Sequence, residues 1–180
     1  MQLSNILGAV AIDERRWLSD DDIINLVRYS PSNEGIKIAD NAELRWAMVH
    51  NKGLKGDIST LRRLLLPCNT SGPLEVGGSH WVVYCADIFS KSIIITRYNS
   101  FGTHTLSCDE DIQSVIFNTF PDKIIELVPG RMDRQNDGYS CGHRVVKAVR
   151  ALLLDQPVSL NHTLDDTRDV VRELRELRDM

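Results

Sequence analysis

Cys141, His80, Asn99 and Gln135 are the residues whose types and order could do covalent chemistry. Cys141 follows a polar, glycine-containing loop (129–140) and opens the amphipathic run CGHRVVKAVRALLL. A thiol in the first turn of a helix meets unpaired backbone N–H groups and the positive end of the helix dipole, which favour the nucleophilic thiolate. Gly142 beside it carries no side chain, so a substrate backbone could approach closely. A buried structural cysteine is the competing reading. His80 begins an apolar run directly after Gly77, Gly78 and Ser79, and an imidazole at a strand end can take a proton from a thiol on a neighbouring helix. Asn99 ends the next apolar run. If the two runs pair, its amide oxygen can accept from the imidazole N–H and hold the ring's tautomer, although asparagine is also an ordinary turn residue. Gln135 lies six residues before Cys141, where its amide N–H could donate to an oxyanion; a solvated loop glutamine is the plainer alternative.

These side chains need a scaffold that brings distant segments together. HWVVYCADI (80–88) and SIIITRYN (92–99) read as two strands of a hairpin, with 123–128 a further strand. Ser19 is a good N-cap for a helix beginning with Asp20, Asp21 and Asp22. The spacing predicts short helices over 42–49, 57–66 and 109–118, a strong amphipathic helix over 141–154, and a last one over 164–178. Pro67 and Gly72-Pro73 read as chain breaks. The expected architecture is α+β: a central, mainly antiparallel sheet flanked by helices, with Cys141 at a helix N-terminus.

Bulk properties remove several function classes. The 180 residues suit one domain spanning 1–180, and 42% apolar with 26% charged residues is globular composition. A net charge of −4, spread along the chain, does not suggest nucleic acid as a partner. No apolar run reaches the ~20 residues needed to span a bilayer, and 1–17 lacks the basic and apolar regions of a secretory signal. Cys68, Cys85, Cys108 and Cys141 contain no C-x-x-C pair, so no structural zinc site and no cofactor is expected. Reduced thiols in a reducing compartment are the expectation.

The ordered set HW…YNS…Q-x-x-x-x-x-C-G, preceded by RWLSDDDI, resembles the adenain-like (clan CE) cysteine proteases. These include proteases specific for SUMO and other ubiquitin-like proteins, and bacterial effector deubiquitinases. The likeness runs in patches from Trp17 to about Leu154. It implies a papain-like, adenain-like protease fold, with His80 as general base, Asn99 as its orienter, Gln135 as oxyanion donor and Cys141 as nucleophile. It further implies that Trp81 roofs a narrow channel for a Gly-Gly C-terminus and that Trp17-Leu18 lies near the substrate cleft; core packing is the alternative for both tryptophans. The sequence departs from the family where Asn99 replaces the more frequent aspartate, Ser140 a common acidic residue, and His143 an expected apolar one.

By the same resemblance, the activity is removal of ubiquitin from its conjugates by a bacterial effector acting in a host cytoplasm. SUMO or NEDD8 cleavage, acetyl transfer by the same Cys-His pair, and a catalytically inactive ubiquitin-binding module are the rivals. The arginine near the ubiquitin C-terminus would meet an acidic residue, for which Asp20, Asp21, Asp22 and Glu75 are candidates; the aspartate run also serves simply as helix N-terminal charge.

Overall fold

Apolar residues in the strands alternate between two separate cores, and this alternation organises the molecule. The computed structural model describes residues 15–70 and 80–180. Five strands, β1 (Ile36–Ile38), β2 (Arg63–Asn69), β3 (Trp81–Ile88), β4 (Ser92–Tyr98) and β5 (Ile124–Pro129), lie side by side in sequence order. The centre, β2–β3–β4, is antiparallel, while β1 pairs with β2 and β5 with β4 in parallel. Trp81, Val83 and Cys85 of β3 point to one face, and Val82, Tyr84 and Ala86 to the other. On the first face they meet α1 (Asp20–Arg28), α4 (Cys141–Leu153) and α5 (Leu164–Asp179). The opposite face is covered by α2 (Asn41–His50) and α3 (Cys108–Thr119). The architecture is the expected α+β one, with helices on both faces of a mixed sheet.

The expected helix over 57–66 is not formed; its second half is β2. A short leucine run bounded by polar residues fits a buried strand and a helix equally well by periodicity. Burial decides: Leu64 and Leu66 face one core and Leu65 the other. Pro67 is not a break but a strand residue opposite Val83. β1 reaches only Leu65, so the missing proline N–H points where no strand needs it.

The remaining elements form for local reasons. Ser19 caps α1 in a reciprocal box with Asp22, and Thr163 caps α5 in the same way with Asp166. All four cysteines are buried and free. Among the described residues no helix is long and apolar enough to cross a membrane, and no cluster of residues could hold a metal ion.

Candidate active site

The antiparallel register of β3 and β4 builds one wall of the site. Val83 pairs with Tyr98, so the register carried outward sets position 80 against position 101, with position 99 diagonal to it. Asn99 Oδ1 accepts from the Phe101 backbone N–H at 2.9 Å, which can only donate, so the amide oxygen is fixed at that position. The same oxygen lies 2.8 Å from His80 Nε2, which therefore carries the proton and donates. Nδ1 is then the bare nitrogen; it is buried and has no partner among the described residues. Phe101 stacks on the imidazole, ring centroids 4.2 Å apart and planes 21° from parallel.

The turn that carries Asn99 and Phe101 is tied down from below. Gly102, at φ +125°, closes it by donating its N–H to the Asn99 carbonyl at 3.1 Å. Buried Arg97 pairs with Asp109 and donates to the Thr103 carbonyl at 2.8 Å, while Tyr84 donates to Asp109 at 2.7 Å. These contacts fix the segment after β4 to the start of α3.

The second wall is the start of α4 and the loop before it. Asp137 organises this loop: its carboxylate accepts from the backbone N–H groups of Tyr139 and Ser140, the Ser140 hydroxyl and the Gln135 amide, at 2.7–3.1 Å. Burial alone would push this carboxyl up, but the Ser140 hydroxyl and the Tyr139 and Ser140 amides hold it below the usual carboxylate range. Arg144 reaches back from α4 to the Ser140 hydroxyl and to Asp133. Gln135 joins the two walls. It accepts from the Ser100 hydroxyl at 2.8 Å, its backbone N–H donates to the Ser100 carbonyl at 2.8 Å, and its amide N–H groups rest on Asp137.

Cys141 is 2% exposed and packs in the same core as Trp81 of β3, the residue next to His80; the Trp81 backbone N–H favours the thiolate. The walls thus bring residues 80 and 141 to the same end of β3, although 61 residues separate them. Burial pushes the thiol up; the N–H groups of Trp81, Gly142 and Cys141 act in the expected direction without outweighing it. Burial likewise pushes His80 down, opposed in part by Asn99 and assisted by His104. The resting pair is therefore a neutral thiol and a neutral imidazole, in contrast to the thiolate that the helix start alone suggests.

Two expectations about the surroundings change, at Gly142 and at Trp81. The space beside Gly142 is filled by Leu18, whose Cβ would be 3.0 Å from an added methyl group, so the glycine serves helix–segment packing rather than access. Trp81 is a core residue whose indole N–H donates to the Leu18 carbonyl at 2.9 Å. Trp17, 41% exposed, is open to solvent, unlike Trp81. Asp22 is engaged by the Ser19 cap and by Arg16 and Arg178, and Asp20 by Asn41 and Arg45, leaving Asp21 the most exposed of the three. Glu75, Gly77 and Gly78 lie outside the described residues.

Asp137, Ser100 and Phe101 were not anticipated. An Asp-Gly pair just before a helix start is a signal for the first, because aspartate caps nearby backbone N–H groups. His143 sits behind the loop that carries Asp137, edge-on to Tyr139 with ring centroids 6.4 Å apart; it is fully buried, and neither ring nitrogen is hydrogen-bonded among the described residues.

No protein-family model and no curated protein matches the sequence. Solved structures do. The Xanthomonas campestris effector protein XopD, solved bound to ubiquitin, superposes with a TM-score of 0.61 at 14% identity, over 95% of this chain and 97% of that one. The Ulp1-like SUMO protease catalytic domain of Chaetomium thermophilum gives 0.67 at 14% identity, covering 94% and 75%. The C-terminal Ulp1 protease domain in complex with Smt3, the yeast orthologue of SUMO, gives 0.64 at 19% identity, covering 91% and 76%. The chain shares the fold of these structures, the expected adenain-like α+β one.

Proposed function

We propose that this protein is a cysteine isopeptidase that cleaves after the C-terminal Gly-Gly of ubiquitin, as a bacterial effector acting inside a host cell. The observation that carries the reading is the tautomer of His80: Nε2–H is committed to Asn99, Nδ1 is bare, and Cys141 packs in the same core as Trp81, the residue next to His80. The superposition with XopD, solved bound to ubiquitin and matched over 97% of its length, is in keeping with ubiquitin as the substrate, and the superposition with Ulp1 bound to Smt3 keeps SUMO as the rival.

In this reading His80 Nδ1 takes the Cys141 proton as the sulfur attacks the terminal glycine carbonyl. The carbonyl oxygen becomes an oxyanion, and Gln135 turns one amide proton from Asp137 towards it, beside the backbone N–H groups at the start of α4. Collapse breaks the C–N bond, and the His80 imidazolium returns its proton to the leaving amine. Water then attacks the thioester with His80 as base, releasing the ubiquitin carboxylate and the free thiol. Asn99 holds the imidazole throughout. Trp17 is the exposed wall for the substrate tail, Trp81 the strut that holds Leu18 behind it, and Asp21 the acidic partner of the tail arginine.

The test uses ubiquitin, SUMO and NEDD8, each with an electrophile at its C-terminal glycine. A covalent adduct with the ubiquitin probe is expected, and Cys141→Ala should abolish it. Adducts with SUMO or NEDD8 alone would correct the substrate. Tight binding without any adduct would make the protein a binding module, and an adduct that survives Cys141→Ala would remove the nucleophile assignment.

A further inference from the structure

The aromatic ring on His80 is exposed where its neighbours are buried. His80 and Asn99 are nearly inaccessible, but Phe101 is 42% exposed and still lies flat on the imidazole at 4.2 Å. Core burial does not hold it there. The cross-strand register, the Gly102 turn and the bond from its own N–H to Asn99 Oδ1 do. Phe101 therefore touches the His–Asn pair twice, through its ring and through the oxygen that both share.

The chemistry gives this stack a purpose. Proton transfer from Cys141 leaves a positive imidazolium in a buried position, and the orienting residue is a neutral amide that supplies no compensating charge. The face of an aromatic ring carries negative quadrupole density and attracts a cation lying over it. We propose that Phe101 is a positioning residue for His80 whose ring face stabilises the imidazolium formed during proton transfer, in place of the negative charge that Asn99 lacks. The proposal rests on the Cys141–His80 reading above. Of the other titratable groups, His104 from the segment after β4 acts on His80, and Asp137 acts on Cys141 at the start of α4.

The experiment follows the rate at which iodoacetamide alkylates Cys141 as a function of pH, read by mass spectrometry on the Cys141 peptide, in the full chain. Phe101→Leu keeps an apolar cover and removes the ring; it should slow alkylation at neutral pH by roughly 3- to 30-fold, in line with the strength of a cation–π contact. Phe101→Trp, with a stronger ring face, should equal or exceed the wild type. In an Asn99→Asp background, where a carboxylate supplies the charge, Phe101→Leu should cost several-fold less. Equal rates for Phe, Leu and Trp, or the same loss in both backgrounds, would reduce Phe101 to simple cover and overturn the proposal. A wild-type Cys141 that reacts no faster than in His80→Ala would instead break the Cys–His reading itself. Thermal unfolding of each variant separates a folding defect from a change in reactivity, and the Trp comparison stands even if Leu unfolds.

Discussion

The two walls of the site hold their reactive groups by different means. On the hairpin wall, His80, Asn99 and Phe101 are set by strand register, and a sheet buried on both faces makes that register stiff. On the helix wall, the loop before Cys141 has no ladder. Its shape centres on one carboxylate, Asp137, which collects four donors, with Arg144 and Ser100 bracing its ends. The first wall distributes its constraint over many weak contacts; the second gathers most of it at one residue. Substitutions should therefore be graded on the hairpin and abrupt at Asp137.

The largest effect is expected at Asp137→Ala. Hydrogen bonds to a charged acceptor are the strong ones, so losing this set should cost about 2–4 kcal/mol of stability. It should also release Gln135 and displace the start of α4, lowering probe labelling of Cys141 far more than stability alone accounts for. Asp137→Asn keeps one acceptor oxygen and should fall between. Urea unfolding together with labelling rates checks both. If Asp137→Ala labels like the wild type, the loop has a second anchor and the contrast between the walls fails.

The hairpin wall should respond more gently, and through pH. Activity needs a neutral His80. Burial holds its pKa below 6.5, so the wild type should remain active below that pH and lose activity as the pH falls through the lowered value. Asn99→Asp places a negative charge beside the ring, which favours imidazolium; the acid limb of kcat/KM should move up by about one unit or more. It also replaces the buried Asn99 Nδ2, which has no partner among the described residues. The rate at neutral pH should be retained or increased. A limb that stays in place, or a collapse in rate, would show that Asn99 does something other than orient His80.

The same contrast explains what the sequence makes legible. Regular periodicity makes the β3–β4 hairpin and the helix at Cys141 legible, whereas the set Cys141, His80, Asn99 and Gln135 rests on its ordered spacing and the family resemblance. β2 is not legible, because a buried leucine run has no period that separates strand from helix, and β1 is only three residues long. Gly142 suggested open space, but the residue filling it, Leu18, is 124 positions away, and no local pattern encodes that contact. The thiol's resting state is hidden from the sequence for a similar reason. Helix position is local, whereas the burial that outweighs it arises from β3 and Leu18 packing around the helix start.

The smallest effect on activity, and the cleanest on stability, should come from His143→Leu. His143 lies one turn into α4, 0% exposed, with no hydrogen bond to either ring nitrogen among the described residues. Burial pushes its pKa from 6.5 to about 4, with the charge of His162 acting in the same direction and Asp137, the Tyr139 backbone and Asp22 offsetting part of it. The folded state therefore resists protonation that the unfolded chain accepts. Stability tied to this group is complete above pH 6.5 and is lost as pH falls towards 4, amounting to about 2 kcal/mol at pH 5 and about 3 kcal/mol at pH 4. Leucine fills similar volume, buries no polar atom and does not titrate. His143→Leu should therefore be at least as stable as the wild type at pH 7.5 and increasingly more stable as the pH is lowered, while His162, shifted in the same sense, keeps part of the acid sensitivity in both proteins. Thermal melts across this range, with Cys141 labelling at pH 7.5 as the activity control, decide the matter. A variant less stable than the wild type at pH 5 would mean that the imidazole forms a compensated contact in the folded state, and labelling lost at pH 7.5 would place His143 inside the machinery rather than behind it.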